Sequence, residues 1–229
     1  TKSELVFSGS VAFRTQLIDS SKISHIEKNK INVFLGPSSH VVIYPVNKKK
    51  DFNFVSILSN KIFKKYINKK NINERKMKLF FKKVSNNWSK KIRNIIKNKK
   101  IYCWPIYTIK MFESWIKNDL VLLGDAAHAM PPYQAQGAAQ SIEDAYYLYQ
   151  SLKTNNLGES LKKYEKSRKL RISKIIIRSN INKSIFHTSN RFLKIVRNVA
   201  IKHLLSNKIF LKFYFNNLFS YEKIDTKKL

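Results

Sequence analysis

A segment between residues 120 and 145 brings together residue types that could bind a nucleotide cofactor. Asp125 follows an apolar run at 120–123 and Gly124, so its carboxylate would stand at the carboxyl end of a strand. Ligands of α/β sheets bind at these ends, and a carboxylate there can accept hydrogen bonds from ribose or ribityl hydroxyls. A helix beginning after Gly137 would add unpaired N–H groups and a dipole that favour an electron-rich or anionic part of the ligand.

Three elements must position these groups. The apolar run at 120–123 is long enough for a strand covered on both faces, and Gly124 ends it. The proline pair at 131–132 stiffens the following turn, and a helix is predicted from Ala138. Its apolar positions have the spacing of one helix face: Ile142, Ala145, Tyr146, Tyr149 and Leu152. The helix start is therefore expected to point back towards Asp125.

The residues of this segment resemble a known motif. Gly124–His128, Pro132, Gln136–Gly137 and Glu143–Ala145 stand at the offsets of the second flavin-binding motif of FAD-dependent aromatic hydroxylases, the group A flavoprotein monooxygenases. The closest likeness is to the salicylate hydroxylase type. The ubiquinone-pathway hydroxylases usually continue Gly-Gln-Gly, whereas Ala138–Gln140 occupies this place here.

The resemblance covers most of the chain, more loosely. Phe7–Arg14 resembles the segment that opens the family's substrate-domain sheet, and residues 35–46 and 51–55 resemble its next two strands. Trp104–Tyr107 is similar to the strand that precedes the flavin motif, and 164–171 to the C-terminal helices. The resemblance implies an α/β fold: an α+β substrate domain with a mixed sheet, and part of a Rossmann-like FAD-binding domain.

The resemblance also implies an oxidoreductase activity. In this family NADH or NADPH reduces FAD, O2 adds to the flavin C4a atom, and the hydroperoxide delivers one oxygen atom to a small aromatic substrate. Asp125 would bind ribityl or ribose hydroxyls, and Pro132, the catalytic candidate, would shape the loop that faces C4a. Backbone amides near the helix start would stabilise negative charge on the reduced flavin. The implied cofactor-binding set is Gly124, Asp125, Ala126, Pro132, Gln136, Gly137, Ala138 and Ala139.

Substrate and metal candidates rest on single residues. Strand-like alternation at 40–44 places His40 and Tyr44 on one face, and we expect them to contact the substrate. His40 and His187 could also be catalytic bases, but a lone histidine on a strand or helix is more often a structural group. His128 follows Asp125 by three residues, but no third ligand lies nearby, so no metal site is predicted.

Part of the expected flavin site is missing from the sequence. No G-x-G-x-x-G motif occurs, the five glycines do not cluster, and the family's middle Asp-Gly motif is absent. The chain also begins at Thr1. We therefore expect the C-terminal part of a longer protein that lacks roughly 150 to 170 residues. An inactive remnant, or a half that needs a separately encoded N-terminal partner, remains the alternative.

The predicted organisation has three parts: a substrate domain at 1–117, the second flavin motif at 118–152, and C-terminal helices at 153–229 packing on the flavin lobe. Lys-rich amphipathic helices are predicted within 59–100, with apolar positions that include Ile62 and Tyr66. A basic amphipathic helix at 191–205 could pack on the flavin lobe or lie on a membrane surface.

Charge leaves a second class of function open. The chain has 45 Lys and Arg against 14 Asp and Glu, a net charge of +31, which would suit a basic nucleic-acid-binding module. Lys, Asn and Ile are enriched together throughout, which indicates coding bias, so no nucleic-acid partner is expected. No apolar run has transmembrane length, and Cys103 is the single cysteine, so we predict a cytoplasmic protein without integral membrane association.

Overall fold

The computed structural model describes residues 5–17, 26–47, 51–59, 67–68, 71–72, 74–118, 120–153 and 156–219. The chain divides into two compact units. The sheet unit comprises Phe7–Tyr107 and Phe186–Ser189; the motif unit comprises Thr1–Val6, Thr108–Ile185 and Asn190–Leu229. The three-part division expected from the sequence stays a prediction.

A five-stranded sheet organises the sheet unit. Its strands are β1 (Leu5–Leu17), β2 (Asn32–Gly36), β3 (Ser39–Val46), β4 (Asp51–Ser59) and β7 (Tyr102–Ile109), in the order β2-β3-β4-β1-β7. The β2–β3, β3–β4 and β4–β1 pairs are antiparallel, with Ile43 opposite Phe54 and Phe54 opposite Thr15. Strands β5 (Ile67–Asn68) and β6 (Asn71–Ile72) form a short separate ladder. The strands predicted from alternation are thus confirmed.

Two helices cover one face of this sheet. Helices α1 (Glu74–Ser85) and α2 (Lys90–Ile96) contribute Met77, Phe81 and Ile92 to the same buried cluster as alternate strand residues. The strand residues of this core include Val11, Phe13, Leu17, Val41, Ile43, Phe52, Phe54 and Leu58. The amphipathic helices predicted within 59–100 are confirmed for Glu74–Ser85 and Lys90–Ile96. The helical prediction is wrong at 67–68 and 71–72, where the backbone pairs as the β5–β6 ladder, and Ile62 and Tyr66 lie outside the described residues.

The motif unit is mainly helical. It contains β8 (Ile116–Lys117), β9 (Leu120–Val121), α3 (Asp125–His128), α4 (Gly137–Leu152), most of α5 (Leu157–Phe186), α6 (Arg191–Ser206) and α7 (Lys208–Phe219). Its core consists of Trp115, Ala127, Tyr147, Tyr164 and Ile172. Together with the sheet unit this architecture confirms the predicted α/β class.

The strand predicted at 120–123 is shorter than expected. Only Leu120 and Val121 form strand β9, which pairs with β8, and Leu120 is 59% exposed. Leu122 instead bonds Trp115 through its N–H (2.9 Å) and accepts a bond from the Tyr164 hydroxyl (3.1 Å). The expectation of a four-residue strand covered on both faces is therefore wrong, because only two of these residues form a strand and the Leu120 side chain is exposed.

Helices α4 and α6 both expose apolar side chains. The predicted apolar face of α4 is exposed, and its buried side chains are mostly polar: Gln140, Asp144, Tyr147 and Ser151. Helix α6 has no buried residue, so its expected packing on the flavin lobe stays a prediction. No helix within the described ranges has both the length and the apolarity needed to cross a bilayer.

Candidate flavin site in the motif unit

Gly124 joins the short strand β9 to helix α3 in a conformation that favours glycine. Its φ is +58°, in the left-handed region that side chains rarely adopt. A Cβ atom here would lie 2.7 Å from the Ser141 Oγ on α4. The Ser141 hydroxyl in turn donates to the Gly137 carbonyl (3.1 Å). The loop therefore approaches the first turns of α4 as closely as a glycine backbone permits.

Asp144 anchors this loop from inside α4. Its buried carboxylate accepts hydrogen bonds from the Gly124 N–H (2.8 Å), the His128 Nε2–H (2.6 Å) and the Arg168 Nε–H (2.7 Å). Burial by itself would raise the pKa of Asp144, but these donors hold the pKa below its usual value. One carboxylate of α4 therefore holds the start of α3, the end of α3 and α5 together.

Arg168 of α5 is the cationic centre of the same network. Its side chain has no solvent exposure and also donates to Glu143 Oε2 (2.8 Å) and to the Gln140 backbone and side-chain oxygens (3.3 and 2.7 Å). A planar guanidinium can serve these acceptors at once because its donors point in fixed directions. The buried charge of Arg168 is thus matched by two carboxylates.

Glu143 extends the network towards solvent. It accepts two hydrogen bonds from Arg171, from Nε (2.6 Å) and from an Nη nitrogen (2.8 Å), in addition to the Arg168 bond. Burial raises the pKa of Glu143, and the two arginines outweigh that effect, so its pKa lies below the usual value. Glu143 and Asp144 are therefore both held as carboxylates.

The predicted cofactor residues fall into a buried and an exposed group. Gly124 and Gln136 are buried, and Gly137 is half-buried. Asp125, Ala126, Pro132, Ala138 and Ala139 are exposed. A Cβ on Gly137 would lie 3.9 Å from Asp125 Oδ1, so the structure brings this carboxylate to the start of α4, as the motif predicts.

The chemistry of these residues fits FAD, the cofactor that the motif predicts. The exposed Asp125 carboxylate supplies acceptors for hydroxyl groups, and the first-turn N–H groups of α4 have no intrahelical acceptor. The alanines at 138 and 139 leave the backbone accessible because they carry small side chains. The arrangement can hold a ligand that combines a hydroxylated chain with an electron-rich edge.

Sequence reasoning missed the buried ion network under this surface. Glu143–Ala145 and Arg168 were recognised as parts of a resemblance, without a contact between them. The available signal was the pair of acids at 143–144, in a helix whose other residues are mostly uncharged, and an arginine on the next helix. His128 bonds Asp144 rather than Asp125, and within the described part of the chain no three metal-ligating side chains come together.

His40 lies in a different setting, in the sheet unit. Its Nδ1 is 2.8 Å from His187 Nε2, and the Phe186 ring lies 5.3 Å from its ring. His40 is only 3% exposed, and this desolvation lowers its pKa to about 4. It is therefore a neutral imidazole at neutral pH.

Tyr44, the second substrate candidate, belongs to a polar cluster further along β3. Its hydroxyl accepts hydrogen bonds from Asn53 Nδ2 and from Arg14 (3.4 Å), and Arg14 Nε donates to Asn53 Oδ1 (3.1 Å). Arg14 and Asn53 line a cavity of about 380 Å³ together with Tyr102 and Trp104, whose rings stack 6.1 Å apart. The strand rise puts His40 and Tyr44 about 13 Å apart.

Fold and motif geometry together define a class of proteins, namely α/β proteins whose strand–loop–helix motif receives a nucleotide cofactor. Residues 15–179 match the family model described as FAD binding domain. The chain belongs to this family, and its curated relatives include aromatic hydroxylases and monooxygenases.

The relatives support this assignment. The chain is 27% identical over 184 residues to 3-amino-4-hydroxybenzoate 2-monooxygenase PtmB3 of Streptomyces platensis, covering 79% of this chain and 46% of that protein. It is 26% identical over 196 residues to a salicylate hydroxylase of Pseudomonas putida, covering 74% and 43%. The chain thus spans about half the length of the curated relatives it matches.

Solved structures share the fold. Klebsiella pneumoniae HpxO complexed with FAD and uric acid superposes with a TM-score of 0.75 at 18% identity, covering 95% of this chain and 55% of that one. A salicylate hydroxylase substrate complex gives a TM-score of 0.65 at 21% identity, covering 90% and 56%.

Proposed function

We propose that this chain forms the second flavin motif and most of the substrate domain of an FAD-dependent monooxygenase that hydroxylates a small aromatic acid. The observation that carries the proposal is the exposed surface of Asp125 and the α4 start, mounted on the buried Asp144–Arg168 network. Relatives named for hydroxybenzoates and salicylate support this substrate class. NADH or NADPH is the proposed electron donor and O2 the oxidant.

Residue roles in this site follow from their chemistry. Bound FAD supplies the electron transfer and the activation of oxygen. Asp125 accepts hydrogen bonds from hydroxyl groups of the cofactor, and the amides at Gly137, Ala138 and Ala139 stabilise negative charge near the helix start. Pro132 shapes the exposed loop that would face the reacting part of the flavin. The protein therefore binds the cofactor, orients it and excludes water from it.

Substrate contact is proposed for His40 and Tyr44. Among the described residues Arg14, next to Tyr44, has only neutral partners, so its charge can bind an aromatic carboxylate. His40 is a buried neutral imidazole, which can take part in a hydrogen bond with a phenol hydroxyl. Since about 13 Å separates the two along β3, a single-ring acid contacts one of them.

A further βαβ segment is proposed to complete the flavin site. The chain contains no G-x-G-x-x-G motif and spans about half the length of its relatives. The exposed face of α4 would be covered by that segment: its large side chains are Ile142 (72% exposed), Tyr146, Tyr149 and Leu152. Cytoplasmic location is proposed from the single, reduced Cys103.

The activity is tested with the chain joined to the coding segment immediately upstream. NAD(P)H consumption and O2 uptake are measured against a panel of hydroxybenzoates, and we expect both rates to rise when a substrate is added. Asp125→Ala should weaken FAD binding about ten- to a hundredfold, because it leaves cofactor hydroxyls unpaired. The control is Glu159→Ala, which removes the same charge at an exposed position of α5.

Two results would contradict the proposal. One is the absence of flavin reduction by either nicotinamide in the joined protein. The other is an unchanged FAD affinity of the Asp125→Ala variant in a fluorescence titration, which would place Asp125 outside the site.

The substrate residues are tested separately. The KM values of the His40→Ala and Tyr44→Phe variants are compared, and the larger increase identifies the residue that contacts the aromatic acid.

A further inference from the structure

A second cavity, in the sheet unit, is lined by positive charge. It lies between α1, α2 and the segment at 97–101, with a volume of about 740 Å³. Seven of its fourteen lining residues are Lys or Arg, and none is Asp or Glu. This concentration differs from the dispersed charge expected from coding bias alone.

Almost all of this charge lacks an acidic partner. Lys78 pairs with Glu74 (3.3 Å), at a site where both side chains are about half exposed. The other six cations form no ion pair with a described residue: Lys82, Lys90, Arg93, Lys97, Lys99 and Lys100. Like charges gathered around one concave surface repel each other, and a bound anion relieves that repulsion.

The shape of the cavity indicates the size of the anion. Phe81, which is 5% exposed, lies at its base with the half-buried Ile96 and Ile101, while Asn86 and Asn94 add amide groups. The volume lies in the range of small-molecule pockets, about 300–1,000 Å³. An open pocket of this volume has room for a compact ligand, whereas a duplex contacts basic side chains along a longer surface.

We propose that this cavity binds a small anion that carries two or more linked phosphate groups. Several cations at different places around one cavity match several neighbouring phosphates better than a single carboxylate. Free polyphosphate and nucleoside polyphosphates share this chemistry, and the apolar base can also pack against a nucleoside. The site is separate from the flavin motif and does not depend on the proposed oxygenase activity.

Calorimetric titration of the 229-residue chain tests the site. The probes are inorganic tripolyphosphate, ATP, AMP and adenosine at physiological salt. The cavity variant combines Lys82→Gln, Arg93→Gln and Lys97→Gln, all at exposed positions outside the core. The control variant removes the same charge from exposed positions of α5 by Lys162→Gln, Lys166→Gln and Lys174→Gln. Circular dichroism confirms that both variants are folded.

We expect tripolyphosphate and ATP to bind more tightly than AMP, and adenosine not to bind. The cavity variant should lose about tenfold in affinity for both polyphosphates, and the control less than about twofold. Tighter binding of ATP than of tripolyphosphate identifies a nucleotide ligand, and equal binding identifies the phosphate chain.

Three results would overturn the proposal. An equal loss in the cavity and control variants would show that diffuse charge attracts the anions. Equal affinities for AMP and ATP would remove the requirement for linked phosphates. Duplex DNA that binds more tightly than tripolyphosphate, and depends on the same three side chains, would make the surface a nucleic-acid site instead.

Discussion

At the scale of single residues, Gly124 occupies a position in the motif that accepts only glycine. Its positive φ and the 2.7 Å approach to Ser141 Oγ both require a residue without Cβ. The neighbouring Asp144 bond to its N–H then holds the loop in that position. A methyl group here would have to displace either the loop or α4.

Gly124→Ala is expected to lower the free energy of unfolding by about 2–4 kcal/mol, because left-handed strain and overpacking add. Gly158→Ala is the matched control, since a Cβ there would meet only Asn156 Oδ1 at 3.8 Å. This substitution in the first turn of α5 should change the free energy of unfolding by less than about 1 kcal/mol, in the stabilising direction. Denaturant unfolding measures both, and equal effects of the two variants would contradict the role of Gly124.

His40 makes stability depend on pH. Its pKa is about 4 in the folded chain, below the ordinary value of 6.5, because burial disfavours the charged form. Between these values the unfolded chain binds a proton that the folded chain does not. Stability present above pH 6.5 is therefore lost as pH falls towards 4, by about 2 kcal/mol at pH 5.

His40→Gln should reduce this loss of stability between pH 7 and pH 5. Glutamine retains a hydrogen-bonding side chain opposite His187 but does not titrate. His203→Gln on exposed α6 should leave the slope unchanged. Denaturant unfolding at the two pH values measures the slope, and an unchanged slope in His40→Gln would assign the pH dependence to other groups.

At the scale of elements, a buried ion network joins α4 and α5 in addition to their shared apolar cluster. Arg168 bonds Asp144 and Glu143 with no exposure of its own side chain, and Ser179 Oγ on α5 donates to the Pro131 carbonyl (2.6 Å) of the loop. Removing one partner of a buried ion pair leaves an uncompensated charge. Helix packing in this unit therefore depends on keeping the whole network.

Arg168→Met is expected to lower the free energy of unfolding by about 3–5 kcal/mol, because Asp144 remains buried without its cationic partner. Arg168→Lys should recover only part of this loss, since an ammonium cannot serve the same set of acceptors. Lys166→Met at an exposed position of α5 is the control, with a change within about 0.5 kcal/mol. A small effect of Arg168→Met would show that apolar packing holds the helices.

At the scale of the whole molecule, each unit has its own buried cluster, and α4 exposes an apolar face as well. Val11, Phe13 and Phe54 belong to the cluster of the sheet unit, and Trp115 and Tyr164 to that of the motif unit. Stability can therefore be present without a complete flavin site.

The 229-residue chain is expected to fold but to lose FAD during gel filtration, because backbone contacts to the cofactor's pyrophosphate need a Gly-rich turn that it lacks. Joining a βαβ segment should restore the flavin absorbance in the protein peak. It should also protect Tyr146 and Tyr149 from surface labelling. Stoichiometric FAD retained by the chain alone would contradict this prediction.

Local patterns in the sequence determined the elements and the motif. Alternation predicted the strands of the sheet unit, and the spacing from Gly124 to Ala145 predicted a loop and a helix that start near Asp125. The helix began one residue early, at Gly137, and the strand before it was shorter than its apolar run suggested. Such patterns work because a helix or strand relates residues only a few positions apart.

Tertiary structure alone decided which distant residues meet. Arg168 reaches Asp144 across 24 positions, and His187 reaches His40 across 147. The same packing exposed the apolar face of α4 and gathered the lysines of α1 and α2 around one cavity. No local pattern encodes these contacts, because burial, partner and charge environment depend on how all the elements pack together.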